Sequence, residues 1–98
     1  MEKIWIDDVR PAPDGYLWCK SVNEAKELIL QPEVQNIQIE VLDLDHDSGD
    51  YFEDGGDYIR LLDFLEETGR CYKCKVHSMN PVGVQQMLSI IRKNGWDR

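Results

Sequence analysis

The chain has 98 residues, enough for a single small α/β domain spanning residues 1–98. Apolar residues make up 42% and charged residues 31%, an ordinary globular balance that argues against disorder. The net charge of -8 denies the chain the basic surface that non-specific nucleic-acid binding needs, so an RNA or nucleotide ligand requires a bound cation or a local basic spot. No apolar stretch approaches the roughly 20 residues of a membrane span. The N-terminus enters a strand pattern without signal-peptide character, so the cytoplasm is the expected address and no membrane partner is expected.

Lys3 to Ile6 is a short apolar strand that runs into Asp7-Asp8. Arg10-Pro11-Ala12-Pro13-Asp14-Gly15 is turn chemistry, too short and too proline-rich for a helix. Tyr16 to Lys20 reads as a second strand. Ser21-Val22-Asn23-Glu24 is a capping box, and Val22, Ala25, Leu28 and Ile29 then recur at helical spacing until Pro32. Ile37 to Leu44 is the third and most apolar strand, followed by an acidic, glycine-containing loop over residues 47–56. Asp57 is placed to cap a helix whose apolar stripe is Tyr58, Leu61, Leu62 and Leu65, with Gly69 at its C-terminus. Cys71 to Val76 is the fourth strand. Asn80 caps the last helix, Pro81 takes its first position, Val84, Met87, Leu88 and Ile91 form its buried face, and Gly95 ends it.

Helices after strands two, three and four call for crossovers and a parallel sheet. The first link is different, because a parallel crossover takes about a dozen residues and the loop from Val9 to Gly15 is shorter. It must pass over the sheet edge in extended form, or the first two strands are not parallel neighbours. Of the three cysteines, Cys71 and Cys74 have half-zinc-site spacing, but a second pair is missing. Idle structural thiols are the expectation, with a metal or redox role the alternative.

Three polar clusters end apolar runs: Asp7-Asp8, Asp45-His46-Asp47, and His77-Ser78-Met79-Asn80. In an open parallel sheet the carboxyl ends of the strands share one edge, where ligands bind. Asp7, Asp8 and Asp45 suit a hard divalent cation, Mg²⁺ or Mn²⁺, because mutually repelling carboxylates stay ionised most readily around one. Asp47 is either a further ligand or a loop acid. Asp43 lies one pleat back from Asp45 and is expected outside the cluster, as a buried acid or a partner of Arg10.

His46 and His77 have the titration range for general acid–base work, or else serve as structural partners of those acids. Ser78, Asn80 and Gly83 stand where a helix N-terminus would receive a phosphate, with Gly83 admitting a close approach. In the plain alternative they are the cap and a packing glycine. Arg10 is a phosphate clamp or a counter-charge to the acids.

These motifs resemble those of the cyclic-phosphate processing receiver domains. That family's pattern looks like LDDxRP at the start, LDHD at the centre and HSxNPVG near the end. This chain has Ile6-Asp7-Asp8-Val9-Arg10-Pro11, Leu44-Asp45-His46-Asp47, and His77-Ser78-Met79-Asn80-Pro81-Val82-Gly83. Ser48 stands where the family often has leucine. The resemblance spans almost the whole chain, and the last segment is its most specific part.

It implies a three-layer flavodoxin-like, receiver-like α/β fold, shortened to a four-stranded, mainly parallel sheet in the order 2-1-3-4 with three main helices. The chain departs from ordinary receivers in three ways: no helix follows the first strand, no fifth strand with its lysine follows the last helix, and His46 follows the acidic centre. These departures weaken a phospho-acceptor role for Asp45. The Asp43-Leu44-Asp45 spacing also resembles haloacid-dehalogenase phosphatases, but that pattern belongs after the first strand and needs a nearby threonine.

The resemblance further implies processing of cyclic phosphates, such as RNA 2′,3′-cyclic ends or a cyclic nucleotide. Asp7, Asp8, Asp45 and Asp47 would hold the metal, and His77, His46 and Asp45 would carry the catalysis. Ser78, Asn80, Gly83 and Arg10 would bind a phosphate-containing small molecule or RNA end. The alternatives are a non-catalytic receiver-like module that binds a cation, and a domain whose acidic edge meets a partner protein.

Overall fold

A computed structural model describes residues 2–31 and 39–98. Four strands, β1 (Glu2–Ile6), β2 (Tyr16–Cys19), β3 (Ile39–Leu44) and β4 (Cys74–Val76), form one parallel sheet in the order β2-β1-β3-β4. Among the described residues three α-helices accompany them: α1 (Val22–Leu30), α2 (Ile59–Thr68) and α3 (Pro81–Asn94). The receiver-like class, the strand order and the three helices are as expected. Pro32 and the start of the expected third strand, Ile37, lie outside the described residues. The fourth strand is shorter than expected, beginning at Cys74 rather than Cys71.

Strand alternation divides the sheet into two faces. Ile4 and Ile6, Leu42 and Leu44, and Cys19 and Cys74 join the core with Val22, Ala25, Ile29, Leu61, Leu62, Leu65, Met87 and Ile91 from the helices. Among the described residues all three helices share this one core. The physical reason is the first link. The chain returns from Asp7 to Gly15 without room for a helix, so this link places no helix on the second face. That face carries Lys3, Trp5, Tyr16, Trp18, Val41, Asp43 and Lys75.

The short link closes a parallel pair by leaning on this second face. The indole N–H of Trp5 donates to the Arg10 carbonyl at 2.9 Å, and that of Trp18 donates to the Asp7 carbonyl at 2.8 Å. Two tryptophans thus satisfy backbone carbonyls that the tight return would otherwise leave to water.

Helix starts follow the sequence in two of three cases. Ser21 Oγ accepts from the Glu24 N–H at 3.0 Å, while the Glu24 carboxylate reaches back to the Lys20 N–H at 3.3 Å, one residue before the usual capping-box partner. Asn80 Oδ1 accepts from the Gly83 N–H at 3.0 Å, with Pro81 opening α3. Asp57 does not cap α2. Its Oδ1 accepts instead from the Ser48 N–H at 3.0 Å and the Ser48 hydroxyl at 3.2 Å, pinning the acidic loop. Tyr58 precedes the helix, fully buried, and donates its hydroxyl to the Lys20 carbonyl at 2.7 Å. Beyond Gly95, Trp96 is buried in the core and its carbonyl accepts from the Cys74 N–H at 2.8 Å.

Candidate active site at the carboxyl edge

β1 and β3 are in register from Ile4↔Leu42 to Ile6↔Leu44, so the residues that follow them emerge side by side. The carboxylates of Asp7, Asp8 and Asp45 each offer an oxygen within 4.8 Å of the others. Asp7 is buried. Its Oδ1 accepts from the Val9 and Arg10 N–H groups, both at 2.9 Å, and its Oδ2 meets His77 Nε2 at 2.9 Å. Burial works to raise the Asp7 pKa, but the two N–H groups and His77 outweigh it and hold the carboxyl below its ordinary value. Asp8 goes the other way, raised by burial and by the charges of Asp7 and Asp45. Gly49, at φ +54°, lies so close that a Cβ there would run into Asp8 Oδ2. Asp45 Oδ1 accepts from the His46 N–H at 2.7 Å.

The donor set fits a hard divalent cation. All three ligands are oxygens, and Asp7 keeps a lone pair on Oδ2 beyond the His77 contact. Burial first, and then repulsion from Asp7 and Asp45, raise Asp8, and a cation would relieve the repulsion. Asp47 stands apart from this group. It sits with His46 and Asp57 in a second cluster whose ligand atoms also lie within 4.8 Å of one another.

The two histidines have separate partners. His77 Nδ1 meets Asp43 Oδ1 at 2.7 Å, while Nε2 meets Asp7. Both acceptors are carboxylates, so both ring nitrogens donate and the ring is an imidazolium. Burial alone would lower its pKa, but Asp43 and Asp7 raise it. Trp5 stacks on the ring with centroids 3.7 Å apart and planes 7° from parallel.

Asp43, set aside from the cluster at the level of sequence, is therefore the other anchor of His77, and it does not pair with Arg10. The missed signal was an acid inside the most apolar strand, which must find a partner. Arg10 is exposed, and its contribution to the site is its backbone N–H to Asp7.

His46 donates from Nδ1 to Asp47 Oδ1 at 2.8 Å, which leaves Nε2 without a protein partner among the described residues. The His46 ring packs against the first turn of α3, where a Cβ on Gly83 would run into it. The close approach that Gly83 was expected to offer a ligand is therefore occupied by His46. Ser78 Oγ accepts from the Asn80 N–H at 3.2 Å, and the Asn80 side chain caps the helix, with its Nδ2 3.4 Å from Asp47 Oδ1. These residues build the turn that seats His46.

Cys71 is exposed and Cys74 buried, so the pair does not share a site. Burial pushes the Cys74 thiol up to about 12. Among the described residues no helix is long and apolar enough to cross a membrane.

A family model for the cyclic-phosphate processing receiver domain matches residues 2–93. No curated protein and no solved structure matches the chain.

Proposed function

We propose, from the premise that this chain belongs to the cyclic-phosphate processing receiver family, that its carboxyl edge carries out metal-assisted hydrolysis of a cyclic phosphate. The observation that carries this reading is the convergence of Asp7, Asp8 and Asp45 beside an imidazolium. A bound Mg²⁺ or Mn²⁺ would neutralise the three carboxylates and polarise the phosphoryl oxygens of the ester. The remaining chemistry falls to the chain's own groups. His77, held by Asp43, orients Asp7 and keeps it ionised, so it is a positioning residue. His46 is the proton carrier. Its Nδ1 proton is directed at Asp47, which leaves Nε2 to accept a proton from water or return one to the leaving oxygen. In this reading the two histidines, grouped together by the sequence, take separate roles.

Incubation of the purified chain with 2′,3′-cyclic nucleotides and cyclic-ended RNA, with added Mg²⁺ or Mn²⁺, tests the reading. Ring opening that is lost in His46→Ala is expected, and intact substrates would remove its support. The cation site has a test of its own. Asp8→Asn removes a repelled charge and should raise the metal-free melting temperature by several degrees, equivalent to about 1 kcal/mol. The same variant should lose the melting-temperature gain that the parent shows with Mg²⁺.

One observation favours a second reading, a cation-binding module without catalysis: both nitrogens of His77 are committed to carboxylates. Under that reading His46→Ala leaves the Mg²⁺-induced stabilisation intact and no substrate turns over.

A further inference from the structure

His46, Asp47 and Asp57 share no residue with the cluster of Asp7, Asp8 and Asp45, yet each offers a ligand atom within 4.8 Å of the others. One of the three is an imidazole, which sets the group apart from a patch of acids. The ring is fixed in place. It packs against Gly83 in the first turn of α3, and its Nδ1 lies 2.8 Å from Asp47 Oδ1. Two ligands at right angles, on metal bonds of about 2.0–2.1 Å, stand roughly 2.9 Å apart. This nitrogen and oxygen therefore have the spacing of neighbours around one ion.

Both carboxylates are oriented by groups outside the trio. Asp57 Oδ1 accepts from the Ser48 N–H at 3.0 Å and the Ser48 hydroxyl at 3.2 Å, and Asn80 Nδ2 lies 3.4 Å from Asp47 Oδ1. Hydrogen bonds of this kind orient the carboxylates that ligate metals. Among the described residues neither acid pairs with a lysine or arginine. The donor set also selects the ion. Three oxygens at Asp7, Asp8 and Asp45 suit Mg²⁺, whereas a ring nitrogen with two carboxylates suits Zn²⁺ or Co²⁺.

We propose that His46, Asp47 and Asp57 form a second cation site, selective for an imidazole-binding divalent ion such as Zn²⁺. The ion takes the place of the proton on Nδ1. The ring stays neutral as that proton moves to Nε2, which can then donate but no longer accept. Zn²⁺ thereby switches off His46 as a proton acceptor. This consequence rests on the function proposed above; the binding site does not.

The test is a zinc titration of the full chain, followed through the long-range proton–nitrogen NMR correlations of its two histidine rings. At about one equivalent His46 should show a metal-bound Nδ1 and a protonated Nε2, while Mg²⁺ alone leaves Nδ1 unligated. Asp57→Asn keeps an oxygen for Ser48, and Asp47→Asn changes an exposed side chain, so both variants should fold. Each should weaken zinc binding about tenfold or more. Asp8→Asn, which disables the other cluster, should leave the His46 response in place, and so should Cys71→Ser, which removes the exposed thiol.

An unligated His46 ring, full zinc affinity in either Asp57→Asn or Asp47→Asn, or loss of the response in Asp8→Asn or Cys71→Ser would each overturn the proposal. No substrate enters this assay. Hydrolysis without a zinc response leaves the hydrolysis reading standing, and a zinc response without hydrolysis leaves the second site standing.

Discussion

His77 joins Asp43 and Asp7 through one ring, and its ionisation links the site to stability. Its folded pKa is raised above the unfolded value near 6.5. The stabilisation is therefore complete below about pH 6.5 and fades as pH rises through the folded pKa. In EDTA the urea midpoint should fall over that alkaline window, and His77→Gln should flatten the dependence. At pH 6 the same variant should cost about 2–3 kcal/mol, since it leaves two acids without their charged partner. A pH-independent midpoint in the parent would show that the imidazolium contributes nothing. Trp5, stacked on the ring, excludes water from one side of this contact. The acids and histidines themselves were legible in the sequence as strand-end clusters, but their pairing was not. Asp43 and His77 are 34 positions apart, and only the β3–β4 register brings them together.

At the scale of elements, α3 is the helix that serves the site. Its cap, its proline and its first-turn glycine lie within four consecutive residues, Asn80 to Gly83, and that local code reads directly from sequence. Asn80→Ala should cost about 1 kcal/mol in chemical denaturation, whereas Asn80→Asp, which retains a capping oxygen, should cost far less. If the His46 ring resonances move in the alanine variant and stay in place in the aspartate variant, the cap also seats the imidazole. The start of α2 shows the limit of such codes. Asp57 has a capping residue's chemistry and position, but the Ser48 N–H and hydroxyl, nine positions earlier, take its oxygen. A local propensity worth about 1 kcal/mol yields to a loop contact of similar strength once the chain has folded.

At the scale of the molecule, the described helices share one face of the sheet, and the thiols report which side is closed. Cys19 and Cys74 are buried in that core and pushed up to about 12, while Cys71 is exposed. A thiol reagent at pH 8 should label one cysteine per native chain rapidly and all three only after unfolding. Fast labelling of two would mean that the end of β4 opens.

The sequence by itself determined the order and kind of the elements, the crossovers through helices and the acids that end the strands. These follow from periodicity, caps and strand-to-helix alternation, all of which are local. Only the tertiary structure decided that β1 and β2 pair in parallel across the short link, that Asp43 anchors His77, that Gly83 is filled by His46 and that Trp96 closes the core. Each depends on register or on a contact between distant segments, which local pattern does not encode.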